Sequence, residues 1–393
     1  MKYNFDEILD RRGTGSLKWD VGENELPMWV ADMDFKVAPC IRKAIQSKLD
    51  HGIFGYSITP ESWAQSYIDW WGGRHGLKIS KEDLIFCTGV VPAISSCVRK
   101  LTYPAEMVSI QTPVYNIFFN SIVNNGRFVK QSPLRYRDGR YSVDFERLEQ
   151  DLCDPQVSLM ILCNPHNPIG KIWDRETLKK IGHLCKKYGV TVISDEIHCD
   201  ITEPGKNYLP FAEVDEICKD ISVTCIAPTK CFNIAGLNSA AVAVFNPLLR
   251  HKVWRALNTD EVAEPNAFAV DVTVAAFEEG GEWVDEMRKY VFDNKKIAAE
   301  YIEKNIAGVF AVESDATYLS WLDCHAISSD SSELAGFIRQ KTGLYLCEGI
   351  EYGESGEGFL RLNCACPRTL LEDGLSRLKN GVNLYIQDKD NNM

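Results

Sequence analysis

The sequence predicts an α/β fold, a doubly wound and mostly parallel sheet with a smaller α+β domain, and three observations carry that reading. Short, near-continuous apolar runs recur through the middle of the chain, as expected of strands covered on both faces. An amphipathic stretch of helical length separates two of them, which demands a parallel pairing with the connection on one face. Past residue 285 the texture changes to long helical periodicity and a Gly-rich stretch.

In chain order, apolar runs at 84–88 and 107–111 read as the first strands. The run 157–165 follows, then a helix with Asp174 as N-cap, with Leu178, Ile181, Leu184, Cys185 and Tyr188 at helical spacing, and with Gly189 at C′. Runs at 190–194, 221–226 and 240–245 complete the sheet. Helical periodicity over 283–306, a strand at 317–322, a further helix and the Gly-rich 349–358 build the smaller domain. Thr369 and Glu372 have the spacing of a capping box, opening a last helix with Leu375 and Leu378 on its apolar side. The chain therefore divides into an N-terminal segment (1–48) that joins the small domain and walls the substrate site, a large domain (49–285) and a small C-terminal domain (286–393). The polar run 387–393 is expected to fray.

With 393 residues, 45% hydrophobic and 25% charged, the chain can bury a substantial core. Its net charge of −12, with basic residues scattered, excludes a nucleic-acid footprint and disfavours an anionic membrane surface. The first residues lack a signal-peptide core and no run of about 18 apolar residues occurs, so a cytoplasmic location is expected. Fourteen cysteines without a CxxC pair read as free thiols in a reducing compartment, packed in the core. Cys364-Ala365-Cys366 has no second cluster to complete a zinc site, and no metal is expected.

Three strand ends carry the chemistry. Lys230 follows the run 221–226, Asp195 closes the run 190–194, and Asn167 stands between Pro165 and Pro168 after the run 157–165. In doubly wound sheets ligands bind at the strands' carboxyl ends. A lysine amine forms a Schiff base with an aldehyde, a carboxylate keeps a pyridine nitrogen protonated, and an asparagine amide can bond a ring hydroxyl. The ordered set matches the requirements of pyridoxal 5′-phosphate. Any one of the three alone reads as a surface lysine, a cap or a turn residue.

The chain resembles, from end to end, the fold type I, aspartate-aminotransferase-like enzymes that use pyridoxal phosphate. More narrowly it resembles their cystathionine β-lyases and bacterial C–S lyases, the MalY, PatB and cystalysin-like group. The marks are Trp29-Val30-Ala31-Asp32-Met33-Asp34-Phe35, Phe54-Gly55-Tyr56, Thr112-Pro113-Val114-Tyr115, Ser194-Asp195-Glu196-Ile197-His198 and Gly358-Phe359-Leu360-Arg361-Leu362-Asn363. The resemblance implies that Lys230 anchors the cofactor, Asp195 pairs with its ring nitrogen, Asn167 with its ring hydroxyl, and Tyr115 stacks on the ring, with His198 also at the cofactor. Gly89, Val90 and Val91 would offer amides to the phosphate, together with Thr229 and a Tyr56 reaching across a homodimer. Arg361 would grip the substrate α-carboxylate, with Asn167 and Tyr56 nearby. Asp32 and its neighbours are expected where substrate side chains vary. Asn238 stands where aminotransferases often carry a phosphate-binding arginine, and Cys231 where a Ser or Thr usually follows the lysine.

The expected activity is α,β-elimination from L-cystathionine or related cysteine S-conjugates to a thiol, pyruvate and ammonia. Lys230 would act as Cα base, and Lys230 or Tyr115 would protonate the leaving sulfur. The alternatives are an aminotransferase, which shares every cofactor residue, and a lyase with an added regulatory binding role.

Overall fold

The computed structural model describes residues 2–392. Its centre is a seven-stranded sheet of β1 (Leu84–Cys87), β2 (Met107–Ile110), β3 (Phe128–Gln131), β4 (Val157–Cys163), β5 (Thr191–Asp195), β6 (Ser222–Ile226) and β7 (Ala240–Ala243). The spatial order is β1-β7-β6-β5-β4-β2-β3. Only β7 runs antiparallel to its neighbours; the remaining pairs are parallel. The mostly parallel sheet read from the apolar runs is therefore the observed one.

From Leu159 onward the side chains of β4 alternate between two cores. Leu159, Ile161 and Cys163 pack on one face and Val157, Met160 and Leu162 on the other, so both faces are dry and the run reads as continuously apolar. Each of these side chains other than Cys163 contributes about 1.5–3 kcal/mol by leaving water. The helix after β4, Arg175–Tyr188, begins where Asp174 accepts the Thr177 amide at 2.8 Å and ends at Gly189 with φ 72°. Both caps stand where the sequence places them. Strand β3 escapes the sequence reading because it is the sheet edge: Phe128 is largely exposed and the other three residues are only half buried.

The small domain is a four-stranded antiparallel sheet of β8 (Phe310–Ala311), β9 (Leu319–Asp323), β10 (Cys347–Glu348) and β11 (Phe359–Asn363), in order β8-β9-β11-β10. Strand β9 starts two residues later than expected, because Thr317 adopts φ 64°, outside strand geometry. The Gly-rich stretch folds as two short 3-10 turns pressed together; a Cβ on Gly349 would lie 1.9 Å from the Gly356 carbonyl oxygen. Leu26–Pro27 pairs in parallel with Leu344–Tyr345. The long helix Gly281–Asn305 bridges two cores: Trp283, Val284 and Met287 pack with the large sheet, Ala298 and Ile302 with the small one. Residue 285 thus lies inside a helix shared by both layers.

Two expectations at the C-terminal end need correction. The amides of Leu370 and Leu371 donate to the Pro367 carbonyl, so the last helix, Arg368–Asn392, starts before Thr369. Thr369 is inside the first turn and is not a cap; Pro367 suits a helix start because its missing N–H has no intrahelical acceptor there. The helix also continues through 387–392 instead of fraying. Lys389 Nζ bonds Glu333 Oε1 at 2.6 Å and Tyr385 Oη bonds Glu333 Oε2 at 2.8 Å, tying it to the helix Ser331–Thr342. Met393 lies outside the described residues. No helix among the described residues is long and apolar enough to cross a membrane.

Candidate active site

Strands β4, β5 and β6 end side by side, and their following residues line one cavity of about 220 Å³. Asn167, Asp195, His198, Thr229, Lys230, Tyr115, Gly89, Val90 and Val91 all face it, with Ala31, Thr88, Cys163 and Asn238. Lys230 is half buried and its Nζ donates to the Ala31 carbonyl at 2.6 Å. Burial, seconded by the Arg361 charge, pulls the Lys230 amine down to about 8, against the opposite pull of Asp32 and Asp195.

Asp195 is buried, accepts the Ile197 amide at 3.1 Å, and makes no ion pair among the described residues. Burial pushes its carboxyl up to about 6. Next to it, Glu196 turns away from the cavity and collects the Ser194 hydroxyl at 2.6 Å, the Phe211 amide at 2.9 Å and the Tyr208 hydroxyl. Burial raises the Glu196 carboxyl to about 7. His198 is buried with Nδ1 unpartnered, and burial together with the nearby cations keeps its ring neutral. Gly89 precedes the helix Val90–Leu101, whose first amides have no intrahelical acceptor.

Arg361 comes from the centre of β11, opposite Trp321 and Cys347. It is 4% exposed, yet no carboxylate lies within ion-pair distance among the described residues. Its Nη2 donates to the Trp29 carbonyl at 2.7 Å and its Nη1 to Asn167 Oδ1 at 3.3 Å, while Nε has no partner. A buried guanidinium left this way is short of an anion, since an unpaired buried charge is costly. Asn167 connects it to the cavity.

Two expected residues are elsewhere. The Asp32 carboxylate is engaged with Arg11 at 2.7 Å and Lys18 at 3.5 Å, and its neighbour Ala31 lines the cavity instead. Tyr56 stands fully exposed in the irregular segment 52–60. Cys231 is buried in the core with its Sγ 3.4 Å from the Pro228 carbonyl, so the thiol after the lysine is a packing residue. His75, Cys199 and Asp200 also converge, but Asp200 is taken by His75 at 2.9 Å, Trp70 at 3.0 Å and Arg74 at 3.6 Å.

Sequence reasoning passed over the residues that hold the second wall. The carbonyls of Trp29 and Ala31 receive Arg361 and Lys230, and the Tyr318 hydroxyl donates to Ala31 at 2.7 Å. Asn363 Nδ2 donates to Val30 and Asp32 carbonyls at 2.7 and 2.6 Å, and Asn233 Nδ2 to those of Met33 and Phe35. Backbone carbonyls leave no trace in residue identity; only the quoted 29–35 motif could have drawn attention to them.

The donor set fits pyridoxal phosphate: a lysine amine, a buried carboxylate lacking a cation, an unpartnered His198 nitrogen and a helix N-terminus surround one cavity.

The chain matches the aminotransferase class I and II family over residues 22–378. It is 44% identical over 382 residues to the cystathionine beta-lyase PatB of Bacillus subtilis strain 168, covering 96% of this chain and 99% of that protein. The crystal structure of cystalysin from Treponema denticola, which contains a pyridoxal 5′-phosphate cofactor, aligns with a TM-score of 0.94 and 32% identity over 98% of this chain and 99% of its own. A PLP-bound protein from Clostridium difficile 630, provisionally named an aminotransferase, gives a TM-score of 0.94 and 39% identity over 97% of this chain and all 100% of its own.

Proposed function

The chain belongs to the aminotransferase class I and II family, and we propose that within it this protein is a pyridoxal-phosphate-dependent carbon–sulfur β-lyase acting on L-cystathionine or related cysteine S-conjugates. The overall reaction takes up water and releases a thiol, pyruvate and ammonia. The carrying observation is the pairing of an amine poised near neutrality, Lys230, with a buried guanidinium that lacks its carboxylate, Arg361, across the Asn167 side chain. The end-to-end likeness to a cystathionine beta-lyase supports elimination as the outcome.

Bound in the cavity, the cofactor supplies an aldehyde that joins amines and a ring that accepts the electrons left at Cα. Arg361 holds the substrate α-carboxylate with its fork, and Asn167 Oδ1 steadies that fork through Nη1. Lys230, once its amine is free, takes the Cα proton; a group titrating near 8 is well matched to base catalysis close to neutral pH. Asp195 holds a proton at the ring nitrogen, the cationic partner that its buried carboxylate otherwise lacks. The amides of Val90 and Val91, with Thr229 and Asn238, grip the phosphate without an arginine. Tyr115, which lines the cavity and is set edge-on against Phe118 at 5.8 Å, would cover the ring face.

The active unit is a homodimer in this proposal, with Tyr56 entering the neighbouring site. The segment around Tyr56 exposes Ile53, Phe54 and Ile58 as well, an apolar patch that a second copy would cover.

The test is acceptor dependence. Purified holoenzyme given L-cystathionine and no keto acid is expected to release pyruvate and a free thiol in equal amounts. Turnover that requires a keto-acid acceptor, with no thiol released, would make the protein an aminotransferase.

A further inference from the structure

We propose that Tyr318 is a positioning residue that sets when Lys230 gives up its proton, acting through the Ala31 carbonyl that both side chains share. The inference rests on the reading of Lys230 as cofactor anchor and Cα base.

The geometry is a three-body arrangement. Lys230 Nζ donates to the Ala31 carbonyl oxygen at 2.6 Å and Tyr318 Oη donates to the same oxygen at 2.7 Å. Both lone pairs of that oxygen are therefore occupied. A hydrogen bond to the ammonium stabilises the charged lysine and raises its pKa. A second donor on the same oxygen draws on the same electron density, and its O–H dipole points its positive end toward the ammonium. Tyr318 thus weakens the grip of Ala31 on the lysine proton.

None of the three partners can drift. Tyr318 is fully buried, and the backbone before it is fixed by Lys295, whose Nζ donates to the Ala316 and Thr317 carbonyls at 3.1 and 3.0 Å. Its ring meets the edge of His198 at 5.9 Å, and the Cys364 amide donates to its carbonyl at 2.9 Å. Ala31 lies between Val30 and Asp32, whose carbonyls are both held by Asn363. The charged groups facing Lys230 are Asp195 and Asp32, which favour its proton, and Arg361, which disfavours it; His198 beside it is neutral. All four stay in place when the Tyr318 hydroxyl is removed, so a change in Lys230 titration on its removal reports the shared carbonyl.

The experiment compares wild type, Tyr318→Phe and Tyr318→His. The rate at which apoprotein recaptures pyridoxal phosphate, followed by the holoenzyme absorbance, is measured against pH. Capture needs the neutral amine, and the cofactor's own titration is common to all three proteins, so differences in midpoint report Lys230. Tyr318→Phe is expected to raise the midpoint by about 0.5–1 pH unit, with the acidic limb of kcat for L-cystathionine, which reports the substrate-bound enzyme where the Lys230 amine is free, moving the same way. Tyr318→His, which restores a donor, is expected to return it to within about 0.2 unit of wild type. A purely structural role would lower the thermal midpoint and leave the pH midpoint in place; coincidence within about 0.2 unit, or a shift downward, overturns the proposal. If Tyr318→Phe fails to fold, the proposal is decided on Tyr318→His, where a midpoint displaced by more than that margin overturns it. Capture retained in Lys230→Ala would instead overturn the functional reading beneath it.

Discussion

The cavity has two walls of different construction. One is made by side chains just past the ends of β4, β5 and β6: Asn167, Asp195 and Lys230. The other is made by the N-terminal segment laid across the small sheet, where Trp29 and Ala31 present carbonyls to Arg361 and Lys230, and Asn233 and Asn363 clamp the flanking carbonyls. The first wall gains its precision from a parallel sheet whose register fixes several strand ends at once. The second gains it from hydrogen bonds between residues some 200 to 330 positions apart. The contrast teaches that the side chains proposed to hold the cofactor stand on one rigid sheet, while the wall proposed to hold the substrate joins Arg361 of the small sheet to a segment whose position depends on both sheets.

Breaking the sheet wall is expected to have the largest effect. Lys230→Ala should remove the holoenzyme's visible absorbance band and lower pyruvate release by roughly 10³–10⁴-fold; a retained band would move the anchor to another lysine. Breaking the second wall should leave the cofactor in place. Arg361→Lys keeps the charge but loses the fork, and kcat/KM should fall by roughly 10- to 150-fold, the worth of a charge-assisted hydrogen bond, with the absorbance spectrum unchanged. Loss of cofactor in that variant would show that the two walls are not separable.

The smallest expected effect concerns Glu196, behind the sheet wall. Its folded-state carboxyl titrates near 7 because of burial, above the unfolded value of about 4.3. Between those values the folded state holds a proton that the unfolded state has released, so this group's contribution is present below the lower value and is lost as pH rises toward 7. Glu196→Gln keeps acceptors for Ser194 and Phe211 and removes the titration. The fall in melting temperature between pH 5 and 7.5 should be shallower in the variant than in wild type by about 2 °C or more, measured by calorimetry on the holoenzyme. Equal slopes would mean that Glu196 is ionised throughout.

Much of the first wall is legible in the sequence because its signals are local. The apolar run ending at Cys163, the Asp174 cap, the Gly189 stop and the next run ending at Asp195 specify a strand, a helix and a strand within forty residues, and the structure follows them closely. The edge strand β3 and the start of the last helix are less legible. The first buries too little apolar surface to show a pattern, and the second is set by Pro367 and not by the Thr369 to Glu372 spacing.

The sequence by itself determined the sheet except for its edge strand β3, the grouping of Asn167, Asp195 and Lys230 at strand ends and, by resemblance, the chemistry proposed for them. Tertiary structure alone decided that Ala31 and Trp29 act through their carbonyls, that the Asp32 carboxylate is spent on Arg11, that Cys231 faces the core and that Tyr318 shares an acceptor with Lys230. The physical reason is that strand and helix signals are periodic in the chain, whereas a backbone carbonyl is the same at every position and acquires a role only through what folding brings against it.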